Sequence, residues 1–292
     1  MAQEHNTDTR THRETLGDAW AVLVGNPQKL MPQIVGTVLK AGGTRGAWQY
    51  TAHEKENVLL AWPADQALRA GVIMRGEAGG QLKPSSAMPL MEGLPNDLTV
   101  DIVAPWKSEV EANVGVTMIE GQKPLWFYTP TYFRDFEALT PGVTHTFVLA
   151  GLAFSLRKAL VDDMTITEGA QYEAHAAAWL AEHEGKSRVD VPPLKISLAG
   201  KDIIMPGRVY GEYRMRTTIR EIKDCSLDKL NIVILTVAFP FENRESLVLP
   251  IYVPKPMLNT YEPAVGDSID MYVWLQGRII DFDPKEQAQP QQ

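Results

Sequence analysis

The sequence predicts a mainly β protein with some helix, in which two related antiparallel β-barrel units are joined by a helix and preceded by an N-terminal extension. Three observations support this α+β fold class. Runs rich in β-branched and aromatic residues fill residues 97–156 and return after residue 206. A single alanine-rich segment lies between them. The two β regions also match each other at a constant offset.

Composition sets the broad class of the protein. With 292 residues, 45% of them hydrophobic, the chain can build a substantial core. A net charge of −8 argues against a general polyanion binder, because neutralising many phosphates needs an excess of Lys and Arg. The single cysteine, Cys225, the polar start of the sequence and the shortness of the apolar runs lead us to expect a cytoplasmic protein with no membrane partner.

The first part of the chain divides into an extension and a β unit. Residues 1–85 are predicted to form an N-terminal extension with short strands and a helix, because glycines and prolines interrupt its apolar runs. The stretch from Gly76 to Pro95 is rich in Gly, Pro and Ser, which is typical of a connecting loop. The first β unit is therefore assigned to residues 86–160.

Residues 161–192 are predicted to form a bridging helix and a linker. Within them, Tyr172, Ala176 and Trp179 recur at the spacing of one helical face. Gly185 follows as a stop signal for the helix.

Residues 193–284 are assigned to the second β-barrel. Four strands are predicted there, in "GRVYGEYRMRTTIREI", "LNIVILTVAF", "SLVLPIYVP" and "GDSIDMYVWLQGRIID". The polar tail, residues 285–292, is expected to be disordered.

The two β regions align over most of their length. The matching positions are Tyr128, Pro130 and Gly142 with Tyr252, Pro254 and Gly266, and Leu149–Gly151 with Leu275–Gly277 after an insertion of two residues. Each region reads as a strand, a turn, a strand ended by Pro, a loop with a glycine suited to positive φ, and a closing strand. The pattern predicts a duplicated β unit, with a chance match of a short Tyr-x-Pro motif as the alternative.

A long first strand followed by short strands, with a closing strand entered through "VGDSI", resembles the OB-fold family of small Greek-key barrels. The resemblance covers residues 200–282 and 97–156. It implies an antiparallel barrel for each unit. It assigns no functional residue.

The closing strand of the second unit alternates between two faces, as a barrel strand should. The residues predicted to point inward are Met271, Val273, Leu275, Gly277 and Ile279. The residues predicted to point outward are Tyr272, Trp274, Gln276 and Arg278. The outward face is either covered by the N-terminal extension or the bridging helix, or it is a contact surface for a partner.

The first strand of the second unit carries a predicted arginine face, whereas alternate residues such as Tyr213 and Met215 are predicted to point inward. Its candidate binding residues are Arg208, Tyr210, Arg214, Arg216 and Arg220. Arginines can contact a nucleic-acid backbone and a tyrosine can stack on a base, so this face suggests single-stranded nucleic acid. The alternative is a solvated surface paired with acidic neighbours. In "PLWFYTPTYFRDF", Tyr132 and Arg134 are added as candidates for an exposed recognition surface, with packing of the aromatic residues in the core as the alternative.

No pattern in the sequence predicts catalytic residues, a cofactor or a metal. His175 and His183 are too far apart on one helix to share a zinc ion, and the Gly-rich stretches lack the lysine of a phosphate-binding loop. We therefore expect a non-enzymatic binding or assembly protein, with a protein partner or a second copy of the chain as its ligand. Single-stranded nucleic-acid binding through the Arg208–Arg220 face, and a hydrolase with a site between the two β units, are the alternatives.

Overall fold

The computed structural model describes residues 10–41, 48–52, 55–117, 124–159, 163–241 and 244–280. The fold is mainly β, as predicted, with a large mixed sheet, two smaller sheets and few helices. Within the described ranges, no helix combines the length and apolar character needed to cross a bilayer. The predicted tail, residues 285–292, lies outside the described residues.

The elements follow one another along the chain in this order. The helices are α1 (Gly17–Val24), α2 (Pro27–Ala41), α3 (Tyr132–Asp135) and α4 (Ala170–Glu182). The strands of the first half are β1 (Trp48–Ala52), β2 (Lys55–Trp62), β3 (Leu68–Glu77), β4 (Lys83–Met91), β5 (Leu94–Pro105), β6 (Ala112–Thr117), β7 (Leu125–Thr129) and β8 (Thr144–Lys158). The strands of the second half are β9 (Asp163–Ile166), β10 (Leu194–Ser197), β11 (Ile203–Pro206), β12 (Glu212–Leu227), β13 (Leu230–Phe241), β14 (Arg244–Pro254) and β15 (Ser268–Ile279).

The N-terminal part forms a unit of its own, in which β1 to β4 pair in sequence as an antiparallel sheet. Helix α1 packs against this sheet, and the Trp20 indole N–H donates to the Ala87 carbonyl at 2.9 Å. The boundary predicted between residues 85 and 86 falls inside β4, which pairs with β3. The large sheet begins only with β5.

The large sheet closes on itself twice. Its nine strands lie in the order β11-β12-β13-β14-β8-β15-β7-β6-β5, and β12 also pairs with β15 and β8 with β5. The extra pairings create one circuit of β5, β6, β7, β15 and β8, and a second circuit of β12, β13, β14, β8 and β15. Both circuits therefore contain β8 and β15. The pairs β15–β7 and β14–β8 are parallel, whereas the other pairs in the circuits are antiparallel.

The two shared strands meet in a reciprocal pattern. Leu275 lies opposite Gly151, and Gly277 lies opposite Leu149. Each glycine leaves room for the neighbouring side chains, since a Cβ on Gly277 would lie 2.3 Å from Leu149 Cδ2. The corresponding Leu-x-Gly segments of the two β regions are thus direct neighbours.

The loops that enter the shared strands also use the same hydrogen bonds. The Gly142 N–H donates to the Val100 carbonyl at 2.8 Å, and the Gly266 N–H donates to the Ile219 carbonyl at 2.9 Å. Val100 and Ile219 each donate their own N–H to the carbonyl of the residue after that glycine. Both glycines have positive φ, of 85° and 92°, which explains the residue type.

The buried side chains form two cores. The first lies inside the two circuits and contains the inward residues predicted for β12 and β15, including Tyr213, Met215 and Leu275. The second lies between the N-terminal unit and the outer face of the large sheet, where Tyr128 and Trp274 are buried. The alternation predicted from the sequence is confirmed for these strands, but both of their faces are packed over much of their length.

The predicted bridging helix is α4, which lies between the strands of a small antiparallel hairpin of β9 and β10. Ala176 is its buried residue. Gly185 follows the helix with a φ of 79°.

Candidate binding groove

Four neighbouring strands, β11, β12, β15 and β8, present an outer face on which opposite residues form two rows. The first row is Met205, Arg214, Tyr272 and Ser155. The second row is Ile203, Arg216, Asp270 and Arg157. The sequence predicted that Arg214, Arg216 and Tyr272 are site residues, and the structure brings these three together.

A cavity of about 780 Å³ is lined by both rows. Met164 of β9 and Leu198, which follows β10, complete its lining together with Leu156, Met215 and Met271. We call this cavity the arginine groove. Among the described residues that line it, four are methionines and the charged ones are three arginines and one aspartate, so this lining is largely apolar.

The centre of the groove is occupied by an ion pair between Arg216 and Asp270. The Arg216 Nε donates to Asp270 Oδ1 at 2.6 Å, and Nη2 donates to Oδ2 at 2.8 Å. Arg216 is only 7% exposed, so its charge is compensated within the protein. The sequence did not identify Asp270, because "GDSID" reads as a solvated loop, although Asp270 shares the outward face of β15 with Tyr272.

Two arginines flank this pair and remain exposed. Arg214 forms no ion pair with any residue in the described part of the chain. Arg157 has a side chain that is 74% exposed, with Nη2 3.7 Å from Asp270 Oδ2. These two guanidinium groups are the positive charges that a ligand in the groove can reach.

Tyr272 is fixed between the rows by its hydroxyl group, which donates to the Glu212 carboxylate. Burial and this hydrogen bond raise the pKa of Tyr272 to about 12, so the hydroxyl stays protonated. The Tyr272 hydroxyl group also lies close to the backbone of Gly207, since a Cβ on that glycine would lie 2.8 Å from the hydroxyl oxygen. The Tyr272 side chain therefore contributes a fixed aromatic surface to the groove.

The other predicted residues of the arginine face lie elsewhere. Tyr210 stacks on Trp126, with ring centroids 4.0 Å apart, and Arg10 lies 5.6 Å from the centroid of its ring. Arg208 and Arg220 are exposed but do not line the groove. The predicted face thus divides, and only its middle part faces the cavity.

The predicted outward face of β15 is largely covered by the N-terminal unit. Trp274 is 7% exposed and packs on Tyr128, with ring centroids 5.3 Å apart. Gln276 is buried, and its amide accepts from the Met91 N–H at 2.8 Å and donates to the Pro89 carbonyl at 2.7 Å. Trp274 and Gln276 are therefore interior residues, so the first of the two alternatives for this face, cover by the N-terminal part of the chain, describes them, and the contact surface does not. Arg278 is half-buried.

The aromatic segment around α3 is packed into the fold and does not form the exposed recognition surface considered for it. Arg134 is 5% exposed and forms an ion pair with the buried Asp135, which also accepts from the Thr131 hydroxyl at 2.6 Å. Tyr132 is half-buried against the core of the circuits. Arg134 is thus a structural residue, because its charge is used inside the fold.

A second polar cluster surrounds Glu111 under the N-terminal unit. Its carboxylate accepts from the Tyr128 hydroxyl at 2.6 Å and from the Ser86 hydroxyl at 2.7 Å. Burial raises the pKa of Glu111 above its ordinary value. With 2% exposure, Glu111 has little access to any substrate. Over the described ranges, no group of three or more His, Cys, Asp or Glu residues is placed to hold a metal ion.

The seam between the two circuits is a packed core. Leu149, Leu275 and Phe127 fill it, and all three are buried. A hydrolase with a site between the two β units would require a cleft at this seam.

The chain matches no protein-family model, and no curated protein and no solved structure is significantly similar to it. The function of the groove is therefore inferred from its own geometry.

Proposed function

We propose that this protein is a non-enzymatic binding or assembly protein built on two OB-like barrels that arose by duplication. In each circuit the first strand pairs with the second and fourth strands, and the third strand runs parallel to the fifth. The fifth strand of each barrel is the fourth strand of the other barrel. A helical turn precedes the fourth strand in both units, α3 in the first and Lys255–Leu258 in the second.

Three matched features support the duplication. The positive-φ glycines occupy the same loop, their backbone hydrogen bonds correspond, and the Leu-x-Gly segments face each other reciprocally. Residues 110–156 and 234–280 are the proposed equivalent segments, with Tyr128 over Tyr252. A reciprocal contact of this kind is what two copies related by a twofold axis would make.

The observation that carries the binding proposal is the arginine groove itself. A cavity of about 780 Å³ with apolar walls and a few directed polar groups is typical of a binding site. Arg157 and Arg214 add positive charge at its surface in a protein whose net charge is −8. An anionic partner would be attracted to this place and repelled from much of the remaining surface. The partner is a protein segment or a second copy of the chain.

Single-stranded nucleic acid is the second candidate ligand. It is favoured by the exposed Arg208 and Arg220, which extend the positive charge beyond the groove. Such binding would weaken steeply with salt, because each phosphate contact releases condensed counterions.

The experiment measures the fluorescence anisotropy of labelled probes, namely a mixed-sequence oligonucleotide, an acidic peptide and a basic peptide, together with self-association by sedimentation. The Arg157→Glu/Arg214→Glu variant reverses the charge of the groove. Lys29→Glu/Lys40→Glu makes the same charge change on exposed positions of α2 and is the matched control. We expect the groove variant, but not the control, to lose binding of a probe or self-association. Identical behaviour of both variants and the wild type would overturn the proposal.

A further inference from the structure

We propose that the arginine groove binds an extended peptide segment in which two acidic residues flank an apolar residue, in the order acidic-x-apolar-x-acidic. This inference rests on the proposed function and specifies the partner. It follows from the charges, their spacing and the apolar surface between them.

The spacing of the exposed charges sets the length of the motif. Arg214 lies in the first row on β12, and Arg157 lies in the second row on β8, with β15 between them. Two strand spacings of about 4.8 Å and one step of two residues, about 6.8 Å, place their Cα atoms roughly 12 Å apart. An extended peptide advances about 13 Å over four residues. Carboxylates at the first and fifth positions of such a peptide would therefore meet both guanidinium groups.

The middle of the groove determines the third position of the motif. A side chain there would lie over Asp270 and Tyr272, which separate the two arginines. A carboxylate at this point would be repelled by Asp270 and would find Arg216 already paired. An apolar side chain would instead contact the Tyr272 ring.

The methionines provide the apolar contact surface. Met164 is 42% exposed and Met205 is 50% exposed, which is unusual for large hydrophobic side chains that line one cavity. Methionine side chains adapt to the shape of a partner, and methionine-rich surfaces are used to bind varied peptide segments. The two exposed methionines would pack against the intervening residues of the bound segment.

The same features argue against a nucleic acid in the groove. A single strand carries a phosphate on every nucleotide, so negative charge would also lie over Asp270. The part of the lining that the structure describes offers one aromatic side chain, Tyr272, whereas binding of single strands relies on stacking of successive bases. A peptide can place charge at two separate points only.

The test uses two amidated synthetic peptides with the same composition. One contains Glu-Ser-Leu-Ser-Glu, and the other exchanges the leucine with one glutamate so that an acidic residue occupies the middle. Fluorescence anisotropy is measured with the wild-type protein, Arg157→Glu/Arg214→Glu, Met164→Ser/Met205→Ser and the control Lys29→Glu/Lys40→Glu. Only the Arg157→Glu/Arg214→Glu variant changes the charge of the groove. A labelled mixed-sequence oligonucleotide is titrated in parallel.

We expect the first peptide to bind the wild-type protein and the control equally. Its affinity for the arginine variant and for the methionine variant should be lower by about tenfold or more. The exchanged peptide should also bind about tenfold more weakly. Equal binding of the two peptides, or binding that neither groove variant changes, would overturn the peptide proposal. Oligonucleotide binding that depends on Arg157 and Arg214, without peptide binding, would overturn it and leave the proposed function standing. If no probe binds and no variant changes self-association, both proposals fail.

Discussion

Gln276 joins the closing strand of the large sheet to the N-terminal unit, and its replacement by leucine tests that contact. The Gln276→Leu change keeps the volume but leaves the Met91 N–H and the Pro89 carbonyl buried without their partner. Each unsatisfied buried group costs about 1–3 kcal/mol, and the added apolar surface offsets about 1 kcal/mol. With two such groups, we expect the free energy of unfolding to fall by about 1–5 kcal/mol.

The assay is urea unfolding followed by tryptophan fluorescence, with the slope of the transition compared between the proteins. Gln171→Leu, at an exposed position on α4, is the matched control and should change the free energy of unfolding by less than about 0.5 kcal/mol. A loss of less than about 0.5 kcal/mol for Gln276→Leu as well would refute the burial of this side chain under β4.

Three further predictions concern buried groups. Burial raises the pKa of Glu111 above its ordinary value, so the folded state binds more protons than the unfolded state between the ordinary and the raised pKa, and the free energy of unfolding falls as pH rises through this window. In Glu111→Gln, the free energy of unfolding measured with urea should no longer fall over this pH range. If the variant keeps the pH dependence of the wild type, the prediction is wrong. Gly277→Ala should lower the free energy of unfolding by about 1–3 kcal/mol, measured by thermal unfolding, because the added Cβ would collide with Leu149. The control Gly80→Ala, at an exposed position, should lower it less. Equal losses in the two variants would contradict the close packing of Gly277 against Leu149. Tyr252→Phe should cost about 1–2 kcal/mol by removing the hydroxyl that donates to the Glu92 carbonyl at 2.8 Å, and an unchanged urea midpoint would exclude that hydrogen bond.

The inward faces of the long strands β12 and β15 could be predicted, because alternation within one strand is a local property. Met215 and Leu275 point into the circuits as their positions indicate. Which element packs against the other face of a strand depends on residues far away in the sequence. Nothing in the residues around Gln276 shows that β4, almost two hundred positions earlier in the chain, covers it.

The groove could be predicted only in part, because its residues come from strands that are distant in the sequence. Arg214 and Arg216 could be placed on one face from their spacing, but the acid that neutralises Arg216 lies on β15, and Arg157 reaches the groove from β8. The sequence also could not show that Met205 faces this site, because β11 is short and its pairing with β12 sets its orientation. Pairing between distant strands is decided by the whole sheet.

The central proposal is that two equivalent barrels share two strands, β8 and β15, and an experimental crystal structure tests it most directly. Superposing residues 94–158 on residues 212–279 should bring Tyr128 onto Tyr252, Gly142 onto Gly266 and β8 onto β15, with each of the two shared strands paired in both circuits. A different strand order or direction in the two segments, or β8 paired only with strands of the first unit, would contradict the claim.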